Sequence, residues 1–169
     1  MRIFGLAGWS GSGKTTLMAA LIPDLVSRGL TVSTLKHAHH EFDIDKPGKD
    51  SWVHRQAGAT EVMVASSRRW ALMRELREQP EPSLDELIQR MSPVDVLVVE
   101  GFKFHPHPKI EVYRAEIGKP FLHPDDPHIV AVASDAVIPV PLPLLPLDEP
   151  TVIADFILAH EPSSPREAG

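Results

Sequence analysis

Cysteine is absent from the 169 residues, which excludes disulfides, Fe–S clusters and zinc sites built on thiolates. Positive charge is in deficit. Lys and Arg total 17 against 23 Asp and Glu, a formal net charge of −6, and this balance argues against a broad nucleic-acid or anionic-membrane surface while leaving room for a local basic patch. Apolar runs are strand-sized and fall far short of the ~20 residues a membrane helix needs. The opening MRIFGLAGWSGSGK has no long apolar stretch before its glycines, so it does not read as a signal peptide. The expectation is a cytoplasmic protein with no nucleic-acid or membrane partner. No internal repeat is visible.

What is present is ordinary globular composition, 43% hydrophobic and 24% charged, enough to bury a real core in one domain. We expect a single nucleotide-binding domain over 1–160 and a frayed tail over 161–169. Strand-like and helix-like segments alternate in the first half, which points to an α/β fold with a mostly parallel sheet. Ile3–Ala7 reads as a strand. Thr15–Arg28 reads as a helix, with Leu17, Leu21 and Leu25 on one face, Gly29 as its stop and Pro23 as a possible bend. Thr31–Leu35 and Glu61–Ala65 read as strands, with a helix starting near Asp50 or Ser51 between them. Ser83-Leu-Asp-Glu86 is a capping box opening a short helix to about Met91.

Val94–Val99 is the most hydrophobic strand, suited to a sheet centre covered on both faces. Lys109–Arg114 alternates polar and apolar residues, so a half-exposed antiparallel strand is expected there. His128–Ala133 reads as a strand and Thr151–Ala159 as a closing helix. Of 17 prolines, twelve follow residue 104. The segment Ile138–Pro150 therefore cannot be a central strand and is expected to be an extended connector pinning the last helix.

Chemistry concentrates in Gly8-Trp-Ser-Gly-Ser-Gly13-Lys14-Thr15, which fits G-x-x-x-x-G-K-[ST] in full. Glycines let successive backbone N–H groups point at phosphate oxygens, and the helix N-terminus adds its positive dipole. Gly8, Ser10, Gly11, Ser12, Gly13, Lys14, Thr15 and Thr16 are thus candidate nucleotide contacts. Lys14 would bridge outer phosphates and Thr15 would hold Mg²⁺. Asp95-Val-Leu-Val-Val-Glu100-Gly101 describes a strand delivering Glu100 to the same edge of the sheet, where an acid can serve Mg²⁺. Asp95, at the opposite end, reads as a capping or solvent residue.

The polar stretch His37–Ser51 follows the second strand, at the edge where loops sense a terminal phosphate. Asp43, Asp45, Lys46, Lys49 and Asp50 are candidates for Mg²⁺ or phosphate. His37, His39 and His40 could suggest a metal site, but their spacing fixes no coordination geometry, and a solvated, hydrogen-bonded loop is the preferred reading. Asp135 ends a late strand, where GTPases commonly read guanine. The usual Asn-Lys-x-Asp is missing, so a plain turn residue competes evenly. Trp9, Trp52 and Trp70 read as packing residues.

The stretches AGWSGSGKTTL, TLKHAHHEFDIDKPGKDS, HRQAGA, ASSRRWALM, DVLVVEGFK, PKIEVYR and IVAVASD together resemble the molybdopterin-guanine dinucleotide biosynthesis protein B family, GTP-binding adapters. The resemblance runs from about residue 5 to 135 and implies a three-layer P-loop NTPase fold, its sheet mostly parallel with an antiparallel extension. It also implies a homodimer, GTP and Mg²⁺ as ligands, and a molybdopterin guanylyltransferase as partner, with molybdopterin as a further ligand. Hydrolysis of GTP would be weak at most, in keeping with the lack of an obvious catalytic glutamine or arginine finger. Carried over by position, Gly11–Thr16 hold phosphate, while Lys46, Gly48, Lys49, Asp50, Ser51, Gly101 and Lys103 line the cleft. Thr15, Glu100 and Asp43 are the metal candidates. Two alternatives stay open: a small-molecule kinase whose lid would use Arg68, Arg69, Arg74 and Arg77, and a metallochaperone GTPase using His37, His39 and His40.

Overall fold

The computed structural model describes residues 1–38 and 42–160. His39 and His40, and the tail expected to fray, lie outside the described residues. In chain order the elements are β1 (Arg2–Ala7), α1 (Lys14–Ser27), β2 (Val32–Lys36), α2 (Asp50–Gln56), β3 (Glu61–Ala65), β4 (Trp70–Arg74), α3 (Leu84–Ile88), β5 (Val96–Glu100), β6 (Lys109–Tyr113), a single 3₁₀ turn (Ala115–Ile117), β7 (Ile129–Ser134), β8 (Leu144–Pro146) and α4 (Pro150–Ala159). They group into two compact units, Met1–His37 with Met91–Gly169, and Ala38–Arg90.

The first unit is built on a six-stranded sheet of order β2-β5-β1-β6-β7-β8, parallel at every pairing. Period-2 alternation puts Phe4, Leu6, Val96, Val98, Ile110, Val112, Ala131 and Ala133 on one face. There they pack with Leu17, Leu21 and Leu25 of α1 and Ile153, Ala154 and Ile157 of α4. Full burial of each such leucine or isoleucine contributes about 1.5–3 kcal/mol. α1 runs through Pro23 as one 14-residue helix. It ends where Gly29 turns left-handed and the Leu30 N–H returns to the Leu25 carbonyl, a Schellman closure. Arg28 then ties the two helices, donating to Asp24 on its own helix and to Asp155 on α4.

β5 lies between β1 and β2, with Val96 to Val99 at no more than 1% exposure, as its unbroken hydrophobicity requires. At its start Asp95 is a cap, as read from sequence. Its Oδ2 accepts from the N–H and hydroxyl of Thr31 at 2.7 and 2.6 Å, and these bonds hold its pKa below the usual carboxylate value.

β6 corrects the expectation for Lys109–Arg114. The strand is parallel to both β1 and β7, and Lys109 and Glu111 are each 1% exposed. Its polar side chains face away from α1 and α4 and find partners in His105 before the strand and in residues 122–126 after it. Lys109 Nζ donates to the His105 carbonyl at 2.8 Å and pairs with Asp126 at 3.2 Å. The Glu111 carboxylate accepts from the N–H groups of Leu122 and His123 at 2.7 and 3.0 Å, and meets His123 Nδ1 at 3.0 Å. Buried His107 crosses β1 at Gly5, where a Cβ would stand 2.5 Å from its Nε2. Desolvation, with Lys109 nearby, pulls its pKa down to about 4, so the ring is neutral.

The proline-rich segment forms a connector with one short edge strand, β8, whose Leu145 is buried with Leu147. An edge tolerates the missing proline donors.

In the second unit the antiparallel extension is realised as the β3–β4 hairpin. β4 is unforeseen in the sequence. Ser66 closes its turn, with its N–H bonded to the Arg69 carbonyl and its Oγ accepting from the N–H groups of Arg68 and Arg69. Ser83 and Glu86 form the expected capping box. Trp70 is 66% exposed beside Met63 and Leu72 on one face of the hairpin, so it is not the packing residue the sequence suggested.

Candidate functional site

Parallel strands deliver their carboxyl ends to one edge of the sheet, where α/β folds place ligands. Here that edge gathers the Gly8–Gly13 loop after β1, Glu100 to Lys103 after β5, Arg114 after β6 and Asp135 after β7.

The loop enters α1 through Gly13, at φ 96°. An L-residue is strained there, and a Cβ would also stand 3.2 Å from the Arg114 guanidinium. Lys14 Nζ curls over the loop and donates to the carbonyls of Gly8 and Trp9 at 2.9 and 3.0 Å. Half-burial lowers its pKa. Glu100 acts in the opposite sense, and Lys103 and Lys36 lower it further. A partly desolvated ammonium crowded by two more cations is a strong anion ligand. Ser12 is buried in the same loop, and its Oγ has no hydrogen-bond partner among the described residues. These features fit a phosphate chain. Thr15 is exposed and Glu100 pairs with Lys36 at 3.5 Å. Their oxygens are donors of the kind Mg²⁺ takes.

Beyond Glu100 the backbone turns left-handed at Gly101 and again at Phe102, φ 95° and 51°. A Cβ on Gly101 would lie 2.6 Å from that of His37. Strain at a non-glycine residue is kept where surroundings enforce it, commonly beside a site. Here the turn places the Lys103 ammonium 5.7 Å from the Trp9 ring centre.

Arg114 and Asp135, 21 residues apart, form an ion pair at 2.8 Å. Periodicity does not single out Arg114, because an antiparallel β6 would carry it to the opposite edge. As a parallel strand its end must fall at this edge.

The structure brings together Gly8, Ser10, Gly11, Ser12, Gly13, Lys14, Thr15, Thr16, Glu100, Gly101, Lys103 and Asp135 in the first unit. Asp43, Lys46, Gly48, Lys49, Asp50 and Ser51 belong to the second. There Asp43 and Asp45 are bound to Arg55 at 2.7 and 2.8 Å, and Glu75 joins them at 3.3 Å. Those carboxylates raise the Arg55 pKa above its ordinary value. Of the arginines suggested for a kinase lid, Arg74 pairs with Glu61 and Arg77 donates to the Ala59 carbonyl. Among the described residues no group of His, Asp and Glu has the arrangement of a metal centre, and no helix is long and apolar enough to cross a membrane.

Comparison with known proteins matches residues 3–135 to the family model "Molybdopterin guanine dinucleotide synthesis protein B". The chain is 43% identical to the molybdopterin-guanine dinucleotide biosynthesis adapter protein of Escherichia coli K12, over 92% of this chain and 91% of that one. The adapter protein of the same name from Haemophilus influenzae is 44% identical, over 92% and 86%. A crystal structure of molybdopterin-guanine biosynthesis protein B superposes with TM-score 0.71 at 29% identity, covering 93% of this chain and 98% of that one. The Bacillus subtilis MobB structure, at TM-score 0.73 and 24% identity, covers 97% and 100% and supports the fold. With its phosphate loop, its parallel sheet and these matches along nearly its whole length, the chain belongs to the molybdopterin-guanine dinucleotide synthesis protein B family.

Proposed function

We propose that the chain is a GTP-binding adapter in molybdenum cofactor biosynthesis, acting beside the guanylyltransferase that attaches GMP to molybdopterin. The observation that carries this is the phosphate loop, with Lys14 poised over it, in a chain that shares 43% identity with an adapter of that pathway. Thr15 and Glu100 hold Mg²⁺, which neutralises phosphate charge when bound. A cytoplasmic location follows from the same role.

GTP hydrolysis is weak at most. The sequence offers no obvious catalytic glutamine or arginine finger. Selection of guanine falls to Asp135. A carboxylate accepts from the paired N–H donors of guanine, whereas adenine would leave it unmatched. The test has two parts. The guanylyltransferase should co-purify with the protein, more strongly with GTP, and ATP should displace bound GTP far less well than GTP itself. Equal displacement by ATP overturns guanine selectivity. Indifference of the guanylyltransferase in both states overturns the adapter role.

A second copy of the chain is the occupant we assign to the bare face of the β3–β4 hairpin. Two strands alone are marginal in water, and this pair exposes Met63, Trp70 and Leu72 together. Leu72→Lys should shift the protein from dimer to monomer in analytical ultracentrifugation. An unchanged sedimentation coefficient would move the dimer contact elsewhere.

A further inference from the structure

Four described cations of the first unit pair with carboxylates: Arg28 with Asp24 and Asp155, Lys36 with Glu100, Lys109 with Asp126, Arg114 with Asp135. Arg2 and Lys14 donate to backbone carbonyls instead. Lys103 and Lys119 stand apart. Both are exposed, and neither has a carboxylate partner among the described residues. They converge on the Trp9 indole, their Nζ atoms 5.7 and 5.8 Å from its ring centre.

The indole is itself fixed. Its Nε1–H donates to the Pro120 carbonyl at 2.8 Å, which ties the phosphate loop to the residue next to Lys119. Cation–π contact is worth about 0.5–1 kcal/mol at exposed sites. That is too little to recommend gathering two like charges on the ring of a residue whose carbonyl already takes the Lys14 ammonium at 3.0 Å. In a chain of net charge −6, such a gathering repels itself until an anion arrives.

We propose that Lys103 and Lys119, held by Trp9, form a second anion subsite, for a phosphate dianion beyond those the loop amides cradle. The proposal rests on the phosphate-loop reading and extends it. Two sources share this chemistry: the terminal phosphate of the nucleotide, and the phosphate monoester of a second small molecule seated beside it. Trp9 is a positioning residue. Lys103 and Lys119 are the ligands.

The experiment titrates inorganic phosphate by calorimetry into the full chain, saturated in turn with GDP–Mg²⁺ and with a non-hydrolysable GTP analogue and Mg²⁺. Phosphate should bind the GDP form, and Lys119→Ala or Lys103→Ala should weaken it by about tenfold or more. Arg90→Ala, an exposed change of equal charge in the other unit, should alter it by less than about twofold. If the GTP analogue abolishes phosphate binding, and Lys119→Ala lowers affinity for the analogue but not for GDP, the source is the nucleotide. If phosphate also binds the analogue-loaded form, the source is a second molecule. Absence of phosphate binding in both forms, or equal binding by Lys119→Ala and Arg90→Ala, overturns the subsite. Failure of GDP to bind the unmutated protein overturns the nucleotide reading instead, and phosphate titrated into the nucleotide-free chain then decides the lysine pair separately.

Discussion

Lys14→Ala should reduce GTP affinity by about 2–3 kcal/mol, roughly 30- to 150-fold, while leaving thermal unfolding nearly unchanged. The ammonium is held by the loop backbone. Its two bonds go to the carbonyls of Gly8 and Trp9, and water can satisfy both when the side chain is shortened. On the phosphate-loop reading the same ammonium would meet phosphate oxygens of bound nucleotide, so its loss should fall on the complex alone. Isothermal titration with GTP–Mg²⁺ alongside a melting curve separates the two effects. Unaltered affinity in a folded variant would refute the phosphate-loop assignment.

Glu111→Ala should destabilise the fold by about 3–5 kcal/mol, because it leaves buried donors without their charged acceptor. The carboxylate is 1% exposed and takes the N–H groups of Leu122 and His123. For a chain of this size the melting temperature should drop by roughly 6–20 °C. Glu111→Gln keeps one carbonyl oxygen and should lose less. Faster amide exchange at Leu122 and His123 in both variants would locate the damage. A melting temperature within about 2 °C of the unmutated protein would show that the 119–126 segment is held by other means.

The sequence discloses those parts of the architecture whose causes are local. Gly8 to Thr15 are contiguous, so loop, helix start and lysine follow from one stretch of chain. Val96 to Val99 can only be a strand covered on both faces. β6 could not be read this way. Lys-Ile-Glu-Val-Tyr alternates equally well for a half-wet antiparallel strand and for a parallel strand whose polar face is partnered underneath. The deciding partners, Leu122, His123 and Asp126, lie further along the chain and are invisible to periodicity. That one misreading also hid Arg114, since the direction of β6 decides which sheet edge receives it. β4 escaped because Trp-Ala-Leu-Met-Arg carries no alternation and its turn contains no glycine. Trp9 occupies a variable position of its motif, so nothing local predicted the lysines around it.

The Thr31–Asp95 cap has a kinetic meaning as well. It joins residues 64 apart in sequence and seals the start of the β2–β5 pairing, which is neighbouring in the sheet yet distant along the chain. The whole Ala38–Arg90 unit lies inside that closure. Closing a longer flexible loop costs only about 0.6 kcal/mol per doubling, but the cost falls before any long-range contact is made. The intervening unit holds a hairpin, a capped helix and the Arg55 ion pairs, all formed by residues near one another in sequence. If these condense early, they shorten the span of free chain that β2 must wait across. On this order of events β2 joins the sheet late, and the cap just before its first residue is the latch that keeps the last strand in register.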